Sequence, residues 1–390
     1  MGAHREDFRR EARPVNFVSA GAAQGLVTSL AKDAAVEVAG SFGAVGAMRD
    51  KFLAGEACDV LILTHAQIAE LAAQGRVDSL TSADLGSVPT AIAVRAADPV
   101  PDVSGEAPLR AALLAADAIY FPDPEKATAG IHFAKVLGLL GVRDSVEAKL
   151  KTFPNGTTAM RAMAQAPGRP IGCTQATEIL ATAGITLVAP LPPGFDLETV
   201  YTAAVSRAAA DARGAARFVE SLTGVSAREA RGRAGFRGHH IRRAVPSDLA
   251  AIRAIVTGIL AEYGLAPDPE GTDSDLADLG ESYFSPGGTF EVAVAPDGSI
   301  AGCCGVMSLG GKTCELRKMY LVKDARGLGL GARQLQRALA FARGRGFRRM
   351  ELETAAVLKD AIALYSRAGF KPIVRPLKAR RCDQAFGLDL

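Results

Sequence analysis

The segment Glu315–Gln334, ELRKMYLVKDARGLGLGARQ, constrains the fold more than any other stretch of the chain. Glu315–Val322 reads as a strand, and Gly331–Arg345 reads as a long helix. Between them, Arg326-Gly327-Leu328-Gly329-Leu330-Gly331 leaves room only for a tight bend. Glycines let the backbone turn sharply and approach a ligand closely, and the N–H groups at a helix start have no partner inside the helix. Strand, glycine bend and helix in immediate succession therefore make a cradle for an anion such as a diphosphate. Several folds share this physics. The Lys-Ser/Thr that follows the last glycine of a P-loop is absent, but a dinucleotide fold stays open, because Glu351 or Glu353 stands about 20 residues on.

At 390 residues the chain is too long for one ordinary core, so two or three domains are expected. Lys+Arg of 45 against Asp+Glu of 42 leaves only +3, which supplies no strong field for nucleic acid or an anionic membrane, and neither is expected as a partner. No apolar run reaches the roughly 18 residues of a membrane span. Residues 1–13, MGAHREDFRREAR, read as a polar tail with no apolar core of a secretory signal behind it, so a cytoplasmic location is expected. The six cysteines lack a CxxC or other metal-like spacing, and no metal is expected. Cys303 and Cys304 are adjacent and should point to opposite faces of a strand.

Residues 14–225 alternate short apolar runs with helical stretches, the pattern of an α/β domain with a mostly parallel sheet. Val15–Ala20, Val36–Ser41, Asp59–Leu63, Ala118–Phe121 and Pro170–Cys173 are the expected strands. Ala22–Lys32, Ala47–Ala54, Gln67–Gln74, Ile131–Leu140 and Thr157–Ala166 are the expected helices. Residues 226–239 are rich in Arg and Gly and poor in large apolar residues, and they read as an interdomain linker with solvated charges. Residues 240–390 carry a second pattern. Ile241–Ala244 reads as a strand, and Ser247 is expected to cap a helix from Leu249 to Tyr263. Thr289–Ala295 and Ile300–Ser308 form a hairpin about Pro296-Asp297-Gly298, and Met350–Thr354, Asp360–Arg367 and Cys382–Leu390 follow as strand, helix and strand.

The order of blocks in residues 240–390 resembles the GCN5-related N-acetyltransferase (GNAT) family. Arg326–Gly331 matches the family's R/Q-x-x-G-x-G/A pyrophosphate loop, and Leu316–Leu321 looks like the strand before it. Leu352-Glu353-Thr354 and the segment from Ala361 through Leu364-Tyr365 to Gly369-Phe370 are similar to the family's last strand and its A-x-x-L-Y-x-x-x-G-F helix. The resemblance implies an α+β domain with a mixed, mostly antiparallel sheet that transfers acetyl from acetyl-CoA to a small-molecule or protein amine. It assigns the diphosphate to the amides around Arg326, Gly327, Leu328, Gly329, Leu330, Gly331 and Ala332, and the pantetheine arm to Met319, Tyr320 and Leu321. Tyr365 would donate a proton to the departing thiolate, since a phenol is a neutral donor at pH 7; a packed helix tyrosine is the plainer alternative. Glu315 is the first candidate for the general base and Glu353 the second, and either could be an ordinary strand carboxylate. The pattern departs at Leu358, where many members carry an asparagine. The acceptor half is expected around Tyr263–Phe290.

Residues 15–223 resemble the molybdate-type periplasmic solute-binding proteins. The resemblance rests on Val18-Ser19-Ala20-Gly21, Ser41–Ala47, Gly55–Leu61, Pro122-Asp123-Pro124 with Ala129-Gly130-Ile131, and Ile171–Glu178. It implies two α/β lobes with a ligand cleft, lined by Ser19, Gly21, Thr128, Thr174 and Gln175, each of which could also be a cap or turn residue. Val45 stands where a serine is expected, so the anion would find fewer donors. The fold expected for the whole chain is α/β: a solute-binding-protein fold joined to a GNAT domain. The N-terminal part would regulate the transferase or present its acceptor. The alternative is a solute-binding or sensor protein with a catalytically weak CoA-binding appendage.

Overall fold

The structure, a computed structural model, describes residues 13–31 and 37–390; the polar tail as far as residue 12, and the ends of an expected helix and strand at Lys32 and Val36, lie outside the described residues. Two compact units interleave along the sequence. The first holds residues up to Leu63, Val88–Thr199 and Ala208–Gly235; the second holds Thr64–Ser87, Val200–Arg207 and Phe236–Leu390.

In the first unit, β1 (Val15–Ala20) pairs in parallel with both β2 (Val38–Gly43) and β3 (Val60–Thr64). Val60–Leu63 is fully buried, which is why it reads as an unbroken apolar run. The long β4 (Val77–Arg95) passes through both units, and its Thr90–Arg95 end belongs to this one. β5 (Ile119–Pro122) runs parallel to β6 (Leu150–Phe153) and β7 (Ile171–Gln175). β7 and β8 (Ile185–Pro190) lie antiparallel to β4. Phe121, Phe133, Leu109 and Ile171 anchor the core over these strands. Residues 226–239 differ from the expected solvated linker. They fold as a short 3-10 turn, Val225–Ala227, and a helix, Arg228–Arg233. Arg231 is buried because its guanidinium donates to the carbonyls of Leu222 and Gly224 at 3.1 and 2.9 Å, the last turn of the preceding helix.

The second unit holds the Val200–Ser206 part of β9 (Glu198–Ser206) and a seven-stranded sheet, with β10 (His240–Arg243), β11 (Thr289–Val294), β12 (Ile300–Ser308), β13 (Thr313–Leu321), β14 (Arg349–Thr354), β15 (Lys371–Ile373) and β16 (Gln384–Asp389). Its order is β10-β11-β12-β13-β14-β16-β15, antiparallel except at β13–β14. Cys303 packs on one face with the helix Leu249–Glu262, and Cys304 packs on the other with the helix Leu330–Gly344, as the alternation of a strand requires. The expected cap at Ser247 is replaced. Pro246–Asp248 forms a 3-10 turn, and the Asp248 carboxylate accepts from Val245 N at 2.9 Å and from Arg242 at 2.7 and 3.0 Å.

Compactness divides the chain differently from composition, because Thr64–Ser87 belongs to the second unit. Arg337, on the helix Leu330–Gly344, is one of the groups that tie this segment to the second unit. Its guanidinium donates to both oxygens of Glu291, to Asp84 Oδ1 at 3.3 Å and to the carbonyl of Ser82 at 2.6 Å. Asp84 also accepts from Thr202 Oγ1 at 2.7 Å and from Ile241 N at 3.0 Å. All the charges in this group are buried, so each depends on the others for compensation.

Candidate functional site

β13 leaves its neighbours twice, and both departures shape one cavity. Against β12, Cys303 pairs with Tyr320 while Gly305 pairs with Arg317, so Lys318 and Met319 bulge opposite the single residue Cys304. Lys318 takes a φ of 51°, a left-handed conformation that a non-glycine residue rarely adopts. Its side chain is held by the carbonyl of Thr272 at 2.9 Å, by Asp273 and by Asp275 at 3.3 Å. Against β14, only Thr313–Glu315 pair with Arg349–Glu351; beyond that point the two strands splay. The opening is a cavity of about 490 Å³.

The glycine bend closes one end of this cavity. Gly327 and Gly329 have φ of 76° and 74°, and Gly329 is the residue from which the helix Leu330–Gly344 starts. The first helical hydrogen bond runs from Arg333 N to Gly329 O at 3.1 Å, so the amides of Leu330, Gly331 and Ala332 precede the helical ladder. Met319, Tyr320, Leu321, Arg326, Gly327, Gly329, Gly331 and Ala332 all line the cavity. The two leucines of the bend part company: Leu328 is exposed, whereas Leu330 is buried against Ala301 and Ala325 and pins the bend to the unit. The Arg326 guanidinium reaches back, with Nε on Leu321 O at 2.9 Å and a bidentate pair to Glu262 at 2.6 and 2.7 Å.

Tyr365, on the helix Lys359–Arg367, faces the cavity from the other side with its ring 5.9 Å from Phe370. Burial, reinforced by nearby Cys304 and Tyr320, pushes its phenol well above the usual range, so it keeps its proton. Burial likewise pushes Tyr320 up to about 12. Leu358 also lines the wall. Glu315 and Glu353 are both cavity residues, but they are bound differently. Glu353 accepts from Arg375 at 2.7 Å and from the amides of Lys378 and Ala379 at 3.0–3.1 Å. Glu315 accepts from Arg375 on Oε1 at 3.0 Å, while the cations nearest Oε2, Arg317 and Lys378, stand 3.9 Å away.

Of the segment expected to hold the acceptor, Tyr263 and Thr272 line the cavity. Sequence reasoning missed the other half of that wall: Lys378, Ala379, Arg381 and Cys382. Arg381 clasps Asp273 at 2.6 and 2.8 Å, opposite Lys318. Burial alone would raise Asp273, but the hydrogen bonds from Arg381 and Lys318 outweigh it and bring the carboxyl down to about 2. The basic run RPLKARRCD was the available signal.

In the first unit, the expected cleft residues Ser19 and Gly21 lie at the end of β1, and Thr174 and Gln175 at the end of β7. Ser19 is buried, its hydroxyl donating to Ala20 O at 3.0 Å. Gly21 faces Glu178, Thr174 donates to Glu178 at 2.6 Å, and the Gln175 side chain donates to Thr199 Oγ1 at 3.4 Å. Thr128 instead opens the helix Thr128–Leu139 and shares no hydrogen bond with this group among the described residues. Glu178 itself was not singled out from sequence.

With this geometry in hand, comparison with known proteins gives two family matches. Residues 16–237 match the bacterial extracellular solute-binding protein family, and residues 256–370 match the acetyltransferase (GNAT) family. The chain is 40% identical over 138 residues to the uncharacterized N-acetyltransferase YjgM of Escherichia coli (strain K12), covering 34% of this chain and 82% of that protein. It is 26% identical over 163 residues to an aconitate isomerase of Pseudomonas sp, covering 41% of this chain and 59% of that protein. Among solved structures, the periplasmic molybdate-binding protein of Azotobacter vinelandii is similar with a TM-score of 0.47 and 19% identity, over 57% of this chain and 98% of that one. Among the described residues, no helix is long and apolar enough to cross a membrane.

Proposed function

The chain belongs to the GNAT acetyltransferase family and, through residues 16–237, to the bacterial extracellular solute-binding protein family; from that premise we propose that it carries acetyl from acetyl-CoA to an amine. The observation that carries this reading is the open glycine bend, with its first-turn amides lying along the same cavity that Tyr365 faces.

The residues present fit a thioester carrier. Amides of Gly327, Gly329, Gly331 and Ala332 would hold the diphosphate at a positive helix end. The stretch Met319–Leu321, released from β14 by the splay, would give its backbone to the pantetheine arm. Acetyl-CoA supplies an acyl group already activated as a thioester, so no nucleophilic side chain is required. Cys303 and Cys304 fit that absence of a covalent role: both are buried, and burial pushes Cys303 up to about 12. Tyr365 keeps its proton at neutral pH and would donate it to the leaving sulfur. Glu315 is the better base, because Glu353 has both oxygens committed to the 375–379 segment, whereas Oε2 of Glu315 has no cation within hydrogen-bond reach. The wall formed by Thr272, Lys318 and Arg381 would receive the acceptor, a small-molecule or protein amine. The N-terminal unit would bind a small ligand and either regulate transfer or present the acceptor.

Calorimetry with acetyl-CoA, followed by mass spectrometry of a metabolite extract incubated with protein and acetyl-CoA, tests the proposal. Saturable binding and a product heavier by one acetyl group are expected. Binding unaffected by a valine at Gly329 would overturn the assignment of the bend.

A further inference from the structure

Three carboxylates stand on one face of the second sheet, where β13 and β14 part. Glu315 pairs with Glu351 in the last matched row of that ladder, and Glu353 follows two residues on, so strand alternation turns all three the same way. The opposite face, with Cys314, Leu316, Met350 and Leu352, packs in the core with Leu335 and Ala338 of the helix Leu330–Gly344. Like charges this close are tolerable only with a cation among them, because each ionised carboxylate disfavours ionisation of its neighbours.

Arg375, two residues beyond β15, is that cation. Its Nη2 donates to Glu315 Oε1 at 3.0 Å, its Nη1 donates to Glu353 Oε1 at 2.7 Å, and its Nε stands 3.2 Å from Glu351 Oε2. A planar guanidinium can meet three carboxylates in three directions, which a single ammonium cannot. The other charges nearby are committed elsewhere or stand farther off. Arg349 divides itself between Glu351 at 2.9 Å and Asp389 at 2.8 Å. Arg317 donates to Thr272 O at 2.6 Å and lies 3.3 Å from Asp275, but 3.9 Å from Glu315. Lys378 Nζ, half-exposed, is also 3.9 Å from Glu315. Burial pushes the Cys382 thiol, near Glu353, up to about 11, so it stays neutral. Glu315 and Glu353 line the cavity and Arg375 does not, so Arg375 can act on a bound molecule only through them.

Resting on the reading of Glu315 as the base, we propose that Arg375 is its positioning residue. Arg375 holds Glu315 by Oε1, keeps it ionised beside Glu351 and Glu353, and leaves Oε2 to take the proton of the acceptor amine. That nitrogen's lone pair forms the bond to the acyl carbon, the carbon–sulfur bond breaks, and the leaving thiolate takes its proton from Tyr365.

The test compares the full chain with Arg375→Gln, Arg375→Lys and Arg375→Gln combined with Glu351→Gln. The first readout needs no acceptor. Carbon-13 NMR of protein labelled at the glutamate Cδ follows each carboxyl through a pH titration, and Glu315→Gln assigns the Glu315 signal. In Arg375→Gln the Glu315 midpoint should rise by about one pH unit or more, since an opposite charge is lost and two like charges stay. Adding Glu351→Gln should bring it part of the way back, and Arg375→Lys should fall between wild type and Arg375→Gln. An unmoved midpoint in Arg375→Gln would overturn the proposal. If Arg375→Gln does not fold, Arg375→Lys carries the same comparison with a smaller rise expected, and no rise has the same force.

The second readout is thiol release from acetyl-CoA with a mixture of the twenty L-amino acids and spermidine. The acid limb of its pH profile should move up with the midpoint, giving a loss of about tenfold on that limb that disappears at higher pH. A loss equal at every pH would leave Arg375 a merely structural part and count against the proposal. Full turnover in Glu315→Gln would remove the base itself. A wild type that releases no thiol bears on the transferase reading, while the carboxyl titration still decides what Arg375 does.

Discussion

The bend at Arg326–Gly331 and the turn at Asn155–Thr157 expose the same kind of donor, the amides at a helix start, yet one lines an open cavity and the other is filled by Glu178. In the bend, Gly327 and Gly329 have positive φ, and a Cβ built on either would meet no atom within 4 Å. At the turn, the glycine permits the Glu178 carboxyl group to come within contact of the backbone. An exposed anion site is therefore not a property of the helix start. It depends on whether a chain atom completes it.

Predictions can break or sharpen that contrast. The largest effect is expected from Arg337→Ala, because the helix behind the open bend is held by this one buried guanidinium. Removing it takes the guanidinium from buried Glu291 and leaves Asp84 to Arg333, Thr202 and Ile241, at a cost of about 3–5 kcal/mol in denaturant unfolding. A loss below about 1 kcal/mol would mean the network does not anchor the helix. Next comes Tyr365→Phe, which leaves the bend intact. Turnover should fall on the order of 100-fold while acetyl-CoA affinity stays within about twofold; matched losses in both would assign the tyrosine to binding.

Gly329→Val attacks the open bend directly. A side chain at φ 74° meets backbone strain of about 1–3 kcal/mol, so affinity for acetyl-CoA should weaken roughly 10- to 100-fold. Gly331→Ala is the contrast within the same loop. Its Cβ would lie 3.5 Å from Leu364, an ordinary contact, and affinity should barely change. A separate effect concerns pH. Burial pulls His65 from 6.5 down to about 4, against the opposing pull of Asp84. The unfolded chain thus binds a proton near pH 6.5 that the folded chain refuses until about pH 4, and stability should decline as pH falls through that window. His65→Gln should flatten the decline in urea titrations at pH 7, 6 and 5.

The strand, bend and helix of the transferase were legible because each follows local rules: apolar alternation, then glycine where φ must be positive, then a 3.6-residue period. The long β4 was not legible. VDSLTSADLGSVPTAIAVR carries Asp, Gly, Pro and several serines, the marks of turns, yet it forms one strand. Its buried Asp84 is satisfied by partners far along the chain, Arg337 and the amide of Ile241. The same holds for the basic run after Arg375, which folds against Glu315, Glu353 and Asp273 to finish one wall of the cavity.

By itself, then, the sequence determined where the chain turns and which backbone amides a bend can offer, because those depend on neighbours within a few residues. Only the tertiary structure decided which amides stay open and which are answered by Glu178, and that Thr64–Ser87 packs with the second unit rather than the first. Burial of charge explains why: a buried Asp84 is tolerable only beside its particular donors, and those donors come together through folding and not through adjacency.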